Sequence, residues 1–348
     1  MKKPTSKDVA KLAGVSQSTV SLVLNNRTNI AISQETRERV LAAARDLRYV
    51  PNTFAKGLKT NKSKLIGLLI PTITNPYYPM MTQSIEEYAA SKGYNILLCN
   101  TYRKVENEEF YLNLMAEKGA DGIIYAFTPS RTSHILKILE QLPVVIIGEK
   151  DDNINVNTIG LNSNKAGQLV AQHLIDLGHR KFAFITSPLN GLSLSRQKRL
   201  QGITSKLKEY KLDKNLMIKF GTSEQESRDS TYEIEIGFDL TNELLKESEV
   251  TAIIGVNDMV ALGAINAINN MNLKVPDDIS VCGFDNIYLS KMLQPKITTV
   301  EHYTLQRSRL ALDTLMEIMA SNQSNVFHVE YEPQLIVRES SGPAKKLD

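Results

Sequence analysis

The stretch TSKDVAKLAGVSQSTVSLVLNN, residues 5–26, has the pattern of two short helices joined by a tight turn. Its first half repeats apolar residues every three or four positions, from Val9 to Ala13, so one face of the first helix is apolar. Gly14 can adopt the left-handed conformation that ends a helix, and Ser16 can cap the next one. This spacing predicts a helix-turn-helix.

The second helix of this motif would bury Val20 and Val23 and turn its other face to solvent. A helix-turn-helix places its second helix in the major groove, where small polar side chains suit contacts with base edges. The outward residues are Gln17, Ser18, Ser21, Leu22 and Asn25. An amphipathic helical hairpin without any role in DNA binding would show much of the same pattern.

Charge separates the two ends of the chain. Residues 1–64 contain 13 Lys and Arg against 4 Asp and Glu, a net charge of +9, whereas residues 65–348 contain 28 against 34, a net charge of −6. A basic head attracts phosphates through counterion release, and an acidic body avoids indiscriminate nucleic-acid binding. This asymmetry favours DNA binding through the N-terminus over the plain hairpin.

Composition predicts a water-soluble protein of two or three domains, since 348 residues with 42% hydrophobic composition can bury a sizeable core. No apolar run is long enough to span a membrane, and no apolar run follows the basic start as in a secretory signal. Cys99 and Cys282 lie far apart in apolar runs, which predicts buried thiols rather than a disulfide. We therefore expect a cytoplasmic, nucleoid-associated protein.

A third helix is predicted over residues 33–47, and a short basic segment follows it at residues 51–63. The apolar face of this helix would comprise Val40, Leu41, Ala44 and Leu47. The basic segment could be a flexible tether, or a short helix begun by Pro51 whose stability is marginal because Gly57 opposes it.

Beyond residue 64, apolar strands alternate with amphipathic helices in two successive rounds, which predicts parallel sheets covered by helices and two similar lobes with a cleft between them. The predicted strands are Leu65–Ile70, Tyr94–Cys99, Gly122–Ala126, Val144–Ile147, Lys181–Thr186, Met217–Phe220, Ala252–Val256 and Ser280–Phe284. The predicted helices are Tyr78–Lys92, Glu108–Glu117, Ser133–Gln141, Lys165–Leu177, Arg196–Tyr210, Gly237–Glu247 and Met259–Asn270.

A series of motifs makes the chain resemble the lactose/galactose-repressor (LacI/GalR) family of bacterial transcription regulators, from about Thr5 to Arg338. The motifs are KDVAKLAGVS at 7–16, STVS at 18–21, RV at 39–40, YVPN at 49–52, LGHR at 177–180, NDMVALG at 257–263, GFD at 283–285 and ITTV at 297–300. One such match is common by chance, whereas all of them in the family's order is specific.

The resemblance implies an all-α helix-turn-helix head and an α/β two-lobed body of the periplasmic-binding-protein-like (type I) fold with parallel sheets. The head would be residues 1–50, the hinge helix and linker 51–63, and the effector-binding and dimerisation domain 64–340. The N-lobe would comprise about 64–161 and 291–323, and the C-lobe 162–290 and 324–340. The chain would cross between the lobes near Leu161, near Ser290 and near residues 322–326.

The resemblance also implies which residues contact DNA. Gln17 can bind adenine through its amide, whereas Leu22 replaces the Arg that is commonest in the family and can only pack on apolar edges such as a thymine methyl. Leu58 matches the hinge leucine that the family inserts into the minor groove, and we expect the hinge to fold on the operator. The full expected set is Thr5, Ser16, Gln17, Ser18, Ser21, Leu22, Asn25, Asn29, Tyr49, Asn52, Ala55, Leu58 and Lys59.

In the cleft, the resemblance implies an effector site formed by Tyr77, Tyr78, Glu149, Ser193, Ser195, Arg199, Asn257 and Asp285. Amide, carboxylate and guanidinium groups beneath aromatic rings suit a polyhydroxylated ligand, because they pair with hydroxyls as donors and acceptors. Asp285 could instead cap a helix. Glu149 stands where many relatives have Arg or Lys, and the acidic segment 223–235 lies near the cleft mouth, so an amino sugar or another cationic ligand stays open.

The sequence therefore predicts a sequence-specific transcriptional repressor of carbohydrate-utilisation genes, controlled allosterically by a sugar or sugar derivative bound between the lobes. It would act as a homodimer on a double-stranded, pseudo-palindromic operator of roughly 14–20 base pairs. The alternative is a corepressor-dependent regulator that responds to a non-sugar metabolite. The sequence leaves the sign of the response open.

Three other classes are weighed against this one. A transport-associated solute-binding protein would need an export signal and no basic head. An enzyme is not expected, because P-loop and metal-binding motifs are missing and GLSLS at 191–195 lacks the closing glycine of a nucleophile elbow. The five histidines lack metal-ligand spacing, so neither a metal nor a cofactor is expected. A nonspecific nucleoid protein would differ by showing no operator preference.

Overall fold

The computed structural model describes residues 4–24, 32–49, 63–189, 194–228, 231–321 and 326–345. The chain divides into two compact units, a head (Met1–Ser63) and a body (Lys64–Asp348), and each is described by itself. Across the described ranges, every helix is too short or too polar to traverse a lipid bilayer.

The described part of the head contains three helices, α1 (Ser6–Ala13), α2 (Gln17–Leu24) and α3 (Gln34–Asp46). The Thr5 N–H donates to the Asp8 carboxylate at 2.8 Å, which caps α1. Gly14 ends this helix in the left-handed conformation, at φ 67°, and the Ser16 hydroxyl accepts from the Thr19 N–H at 3.1 Å to cap α2. The predicted turn signals are confirmed.

In the described part of the head, eight side chains form the buried core. They are Val9, Ala10, Ala13, Val20, Val23, Val40, Ala43 and Ala44. Leu41 was expected on the buried face of α3, and this prediction is wrong, because its side chain is 40% exposed. One position along a helix turns a side chain by about 100°, so Ala43 rather than Leu41 lies beside Val40 and Ala44.

The first lobe of the body is built on a six-stranded parallel sheet with the order β11-β5-β4-β3-β1-β2. Alternate residues of β1 enter two separate cores, Leu68 on one face and Leu69 on the other, because helices cover both faces. The strands are β1 (Leu65–Ile70), β2 (Asn95–Asn100), β3 (Gly122–Tyr125), β4 (Val144–Ile147), β5 (Asn157–Leu161) and β11 (His328–Tyr331). The helices are α4 (Tyr77–Ser91), α5 (Val105–Glu117), α6 (Thr132–Leu139) and α13 (Thr304–Ser321).

The second lobe is built on a four-stranded parallel sheet with the order β7-β6-β8-β9, beside a two-stranded antiparallel pair, β10 and β12. The strands are β6 (Phe182–Thr186), β7 (Leu216–Phe220), β8 (Ala252–Gly255), β9 (Ser280–Cys282), β10 (Thr299–Glu301) and β12 (Gln334–Ile336). The helices are α7 (Ser163–Asp176), α8 (Leu194–Glu209), α9 (Ser223–Arg228), α10 (Tyr232–Glu247), α11 (Asp258–Asn270) and α12 (Leu289–Met292).

Glycines let α7 and α8 approach each other closely. A Cβ atom at Gly202 would lie 1.9 Å from the Asn164 carbonyl oxygen, and one at Gly167 would lie 2.2 Å from the Arg199 carbonyl oxygen. Neither position can accept a larger residue without displacing a helix. The backbone of Arg199 is part of this contact.

Two of the predicted lobe boundaries are wrong. Residues 291–323 were assigned to the N-lobe, but Ile297 and Val300 belong to the core of the second lobe, so the chain returns to the first lobe only after β10. Residues 324–340 were assigned to the C-lobe, but β11 pairs with β5 in the first sheet before β12 returns to β10. Hydrophobic period indicates a strand without indicating its partner, so these crossings were not visible in the sequence.

The predicted strands and helices before residue 284 are all present, β1 and β4 with the predicted bounds and the others with shifted ends, and the elements that were missed are β5, β10–β12, α9, α12 and α13. The largest shift is at α10, which begins at Tyr232 rather than Gly237. Cys99 and Cys282 are free and buried, as predicted, and burial raises the pKa of each thiol to about 12.

Candidate functional site

On the head, the residues at the start of α2 lie in solvent. The exposed ones are Ser16, Gln17, Ser18 and Ser21. The Gln17 amide donates to the Ser6 hydroxyl at 3.2 Å, so this side chain is held beside α1. Leu22 is half-buried, which leaves part of its apolar surface accessible at the same face.

Two further predicted DNA contacts are described and six are not. Thr5 is exposed, whereas Tyr49 is half-buried and packs partly against the head core, with its N–H donating to the Ala44 carbonyl at 2.8 Å. The remaining predicted contacts, Asn25, Asn29, Asn52, Ala55, Leu58 and Lys59, lie outside the described residues.

Within the body, a cavity of about 970 Å³ open to solvent lies between the two lobes. Seven of the eight predicted effector residues line it, namely Tyr77, Tyr78, Glu149, Ser195, Arg199, Asn257 and Asp285, and the eighth, Ser193, lies outside the described residues.

Arg199 of α8 is the centre of the cavity floor. Its Nη1 donates to the Val256 carbonyl at 2.5 Å, and its Nη2 lies 3.5 Å from the Asp285 carboxylate and 3.3 Å from His302 Nε2. The guanidinium also lies 4.7 Å from the centroid of the Phe284 ring. The side chains of Arg199, Asp285 and His302 are each less than 9% exposed, so this cluster is removed from bulk water.

Burial sets the protonation of this cluster. It raises the pKa of Asp285 well above its usual value, although the Arg199 charge acts in the opposite direction. Burial, followed by the charges of Arg199 and Arg307, lowers the pKa of His302 well below its usual value, so this imidazole is neutral near pH 7. Asp285 also has a φ of 108°, which a residue with a side chain rarely adopts and which concentrates at ligand sites.

Asn257 has a structural task as well as a place in the cavity wall. Its side-chain oxygen accepts from the Val260 N–H at 2.9 Å and caps α11. The helix that Asn257 caps, α11, begins before Asp285 in the chain, and the amide NH2 of Asn257 is the group that can reach a ligand. The adjacent Asp258 is 1% exposed and accepts from the Ser290 and Thr299 hydroxyls at 2.5 Å each.

Two tyrosines at the start of α4 form an aromatic wall. The rings of Tyr77 and Tyr78 meet edge to face with centroids 5.1 Å apart, and Tyr77 meets the His302 ring in the same way at 5.3 Å. Burial raises the pKa of Tyr78 to about 12, so its hydroxyl stays protonated. The Tyr77 hydroxyl accepts from Arg307 Nη1 at 3.2 Å.

At the cavity rim, ion pairs join the two lobes. Arg103, in the loop after β2, lies 3.2 Å from Glu226 of α9 and 3.0 Å from Glu233 of α10. Glu226 is also 2.6 Å from Arg196, and Glu233 accepts from the Asn75 amide at 2.8 Å. Burial favours a neutral Glu226, but the Arg196 and Arg103 charges outweigh it and lower the pKa.

Glu149 links the two lobes at another edge of the cavity. Its carboxylate is 2.7 Å from Lys198 of α8 and accepts from the Ser163 N–H at 3.3 Å. The reversed charge noted in the sequence is therefore balanced by Lys198. Ser195 precedes this lysine by one helical turn and lines the same cavity.

Glu108 is a buried carboxyl at the cavity wall. Its carboxylate accepts hydrogen bonds from both the N–H and the hydroxyl of Ser130. The side chain of the nearby Tyr125 is buried as well. Burial raises the pKa of Glu108, since the two Ser130 hydrogen bonds do not compensate for the lost water.

Several cavity residues were missed by sequence reasoning. They are Asn75, Arg103, Glu108, Arg196, Glu226, Glu233, His302 and Arg307. Glu226 and Glu233 fall within the acidic segment that was noted, and Arg196 lies one turn before the motif arginine. Arg307 follows no quoted motif, because its position depends on the late return of the chain to the first lobe. Within the described ranges, no cluster of His, Cys, Asp and Glu could hold a metal ion.

Family models match both parts of the chain. The model described as bacterial regulatory proteins, lacI family, matches residues 5–52, and the model described as a periplasmic binding protein-like domain matches residues 171–341. The first match covers α1 to α3, and the second covers most of the second lobe and the return through α13.

Curated and solved relatives extend over nearly the whole chain. The HTH-type transcriptional repressor PurR of Histophilus somni is 34% identical over 342 residues, covering 97% of this chain and 98% of the relative. The lac repressor dimer bound to operator and the anti-inducer ONPF has a TM-score of 0.81 and 26% identity, covering 98% of this chain and 100% of its own. A periplasmic binding protein/LacI transcriptional regulator from Alkaliphilus metalliredigens, complexed with D-xylulofuranose, has a TM-score of 0.68 and 26% identity, covering 80% and 99%.

Proposed function

Since the chain belongs to the lacI family of bacterial regulatory proteins and is a DNA-binding transcriptional repressor, we propose that a sugar or sugar derivative in its cleft controls its operator affinity. The regulated genes would then serve carbohydrate utilisation. The protein would act in the cytoplasm, where the operator is, and it would have no catalytic activity.

On DNA, the exposed start of α2 would enter the major groove of each half-site. Gln17 would contact an adenine, Ser18 and Ser21 would contact neighbouring edges, and Leu22 would pack on a thymine methyl. The flanking contacts would come from Thr5, Ser16, Asn25, Asn29 and Tyr49. The hinge segment would add Asn52, Ala55, Leu58 and Lys59, with Leu58 inserted in the minor groove.

The observation that carries the effector proposal is the buried cluster of Arg199, Asp285 and His302 beneath the tyrosine wall. Its donors and acceptors alternate at hydrogen-bonding distance, as a ligand with several hydroxyl groups requires. Asn257 would add an amide, and Ser193 and Ser195 would add hydroxyls. The neighbour solved with D-xylulofuranose supports a sugar.

Binding between the lobes would change their angle, and a homodimer would transmit this change to its paired heads. The lac repressor, which is a dimer on its operator, supports this assembly. A coupling free energy of about 1–3 kcal/mol would change operator affinity several-fold to about 100-fold. The operator would be pseudo-palindromic, as two-fold symmetry requires.

A second candidate is a regulator whose corepressor is a non-sugar metabolite such as a purine. The name of the curated relatives, PurR, favours it. The aromatic groups of Tyr77, Tyr78 and Phe127 could accommodate a planar ring, and the Asp285 carboxyl could pair with ring nitrogens.

The two candidates are separated by selecting an operator from random DNA and then measuring its affinity with added ligands. The ligands are neutral pentoses and hexoses, the bases adenine, guanine and hypoxanthine, and the phosphorylated or acidic sugars. We expect one class to change operator affinity at least several-fold at constant salt.

A purine effect without a sugar effect would replace the first candidate by the second. No selected operator, or equal affinity for scrambled DNA at moderate salt, would contradict specific repression itself.

A further inference from the structure

We propose that the effector carries an oxyanion, a carboxylate or a phosphate ester, which binds at the cavity floor between Arg199 and Arg307. The inference rests on the proposed function, because it assumes that an effector occupies the cleft. It adds the charge of that effector, which neither a sugar nor a purine by itself specifies.

Arg307 is a buried cation without a carboxylate partner among the described residues. It is 3% exposed, and its guanidinium donates to neutral oxygens only, those of Tyr77, Ile159 and His302, at 3.2, 3.1 and 3.4 Å. Burying a charge is costly unless an opposite charge or strong hydrogen bonds compensate. Carbonyl and hydroxyl dipoles compensate in part, and an anionic ligand would complete the compensation.

The described charges at the cavity rim are already balanced in pairs. Arg103 and Arg196 face Glu226 and Glu233, and Lys198 faces Glu149. The remaining carboxylate on the floor is Asp285, which lies beside Arg199 and whose neutral form burial favours. The floor therefore has an excess of positive charge, whereas the rim has none.

Unused hydrogen-bond donors occur at the same place. Arg199 Nε, Arg307 Nε and His302 Nδ1 are buried nitrogens that make no hydrogen bond in the described structure. His302 Nε2 faces Arg199 Nη2, which can only donate, so Nε2 accepts and Nδ1 holds the single proton of this neutral ring. All three residues line the cavity, and three unpaired donors suit the several lone pairs of a carboxylate or phosphate.

The position of the two arginines gives such a ligand a role. Arg199 belongs to α8 of the second lobe, whereas Arg307 belongs to α13 of the first lobe and is bonded to β5 through Ile159. An oxyanion held by both would join the lobes at the base of the cleft. A cationic ligand, the rival possibility, would have to pair with Glu108, whose pKa burial raises.

The test compares matched ligands on the full chain by isothermal titration calorimetry. The pairs are D-glucuronate with D-glucose, D-ribose 5-phosphate with D-ribose, and adenosine 5′-monophosphate with adenosine, and D-glucosamine is the cationic arm. We expect at least one acidic ligand to bind about 10- to 100-fold more tightly than its neutral partner, as charge-assisted hydrogen bonds allow. The pairs separate a carboxylate source from a phosphate source.

Variants on α13 test whether Arg307 causes the preference for acidic ligands. Arg307→Gln should bring the ratio of acidic to neutral affinity close to one, and Arg307→Lys should leave it intermediate, since it keeps the charge without the planar fork. Arg309→Gln is the matched control, because Arg309 is exposed on the same helix. If Arg307→Gln fails to fold, the ratio of acidic to neutral affinity in the wild type and in Arg307→Lys still tests the inference.

Equal or tighter binding of the neutral ligands, tighter binding of glucosamine, or no binding by any acidic ligand would overturn the inference. So would an unchanged preference in Arg307→Gln. A neutral sugar that binds and alters operator affinity would remove the oxyanion but leave the proposed function intact. An acidic ligand that binds without altering operator affinity would support the oxyanion site but contradict the proposed control of operator binding by the effector.

Discussion

Among single residues, Gln17 has the most direct consequence for DNA recognition. Its exposed amide is held beside α1 by Ser6, and Leu22, one turn further along α2, is only half-buried. In the proposed complex, they would present one bidentate polar group and one apolar group to the same groove. The head should therefore prefer operators with an A·T pair at both positions.

Replacing Gln17 by Ala should lower affinity for the selected operator by about 1–3 kcal/mol and relax the preference at one base pair of each half-site. Affinity for scrambled DNA should hardly change, because phosphate contacts remain. Binding to single-base operator variants at constant salt measures this. Gln34→Ala on α3 is the matched control, and a uniform loss across all sequences would contradict the base contact.

Asp258 should make the stability of the body depend on pH. Burial raises its pKa to about 6, against the hydrogen bonds from Ser290 and Thr299. An acid whose pKa is higher in the folded chain retains its proton while the unfolded chain loses it. Stability from this group is therefore complete below about pH 4 and decreases as pH rises to 6.

Urea denaturation at pH 4 and pH 7 should show this decrease relative to Asp258→Asn. The free energy of unfolding of the wild type should fall by about 3 kcal/mol against that variant, since one pKa unit corresponds to about 1.4 kcal/mol. Asp278→Asn is the control with the opposite sign, because Lys345 lowers the pKa of Asp278. A constant difference between wild type and Asp258→Asn would refute this.

Residues with motif neighbours could be placed from the sequence, and residues without them could not. Arg199, Asn257 and Asp285 were predicted at the cavity and line it. His302 and Arg307 were missed because their relevance depends on a chain crossing that occurs after β10. Their side-chain types alone, a lone histidine and a helical arginine, carry no signal of a cavity.

At the scale of elements, apolar runs of the alternating units were enough to predict most of the strands and helices before residue 284, although β5 and α9 were missed. β5 was missed because its sequence, NTIGL, mixes polar and apolar residues although all five are buried. β11 was missed because it is only partly buried at the edge of the first sheet. Which sheet a strand joins depends on distant residues, so the lobe boundaries were beyond local patterns.

The close contact of α7 and α8 should make Gly202 intolerant of a side chain. Gly202→Ala places a Cβ against the Asn164 carbonyl and should cost about 1–3 kcal/mol of stability. Because Arg199 lies one turn earlier on α8, effector affinity should fall as well. Urea denaturation and calorimetry measure both, with the exposed Lys208→Ala as control. An unchanged midpoint would mean that the helices separate without cost.

At the scale of the whole body, the rim ion pairs hold the lobes together before any ligand binds. Arg103 reaches two carboxylates across the cleft and is 16% exposed, so screening by salt is limited. Few side chains therefore link the two lobes across the rim of the cleft. The sequence indicated two lobes and a cleft, but the residues that join them come from loops and helices far apart in the chain.

Arg103→Gln should shift the body toward an open form, because it removes the ion pairs of Glu226 and Glu233 with Arg103 across the cleft and leaves Glu233 only the Asn75 amide there. We expect a shift of about 2–5 kcal/mol in the open–closed equilibrium and a larger radius of gyration by small-angle X-ray scattering. The exposed Lys104→Gln is the control. Identical scattering curves for both variants would show that other contacts keep the lobes closed.

The buried state of the two native thiols makes this opening accessible to spectroscopy. Cys99 and Cys282 are at most 2% exposed, and each thiol stays protonated, so maleimide dyes will not attach to them in the folded chain. A cysteine introduced on the surface of each lobe can then be labelled in the otherwise native background. Energy transfer between the two fluorophores would follow each opening of the body in single molecules.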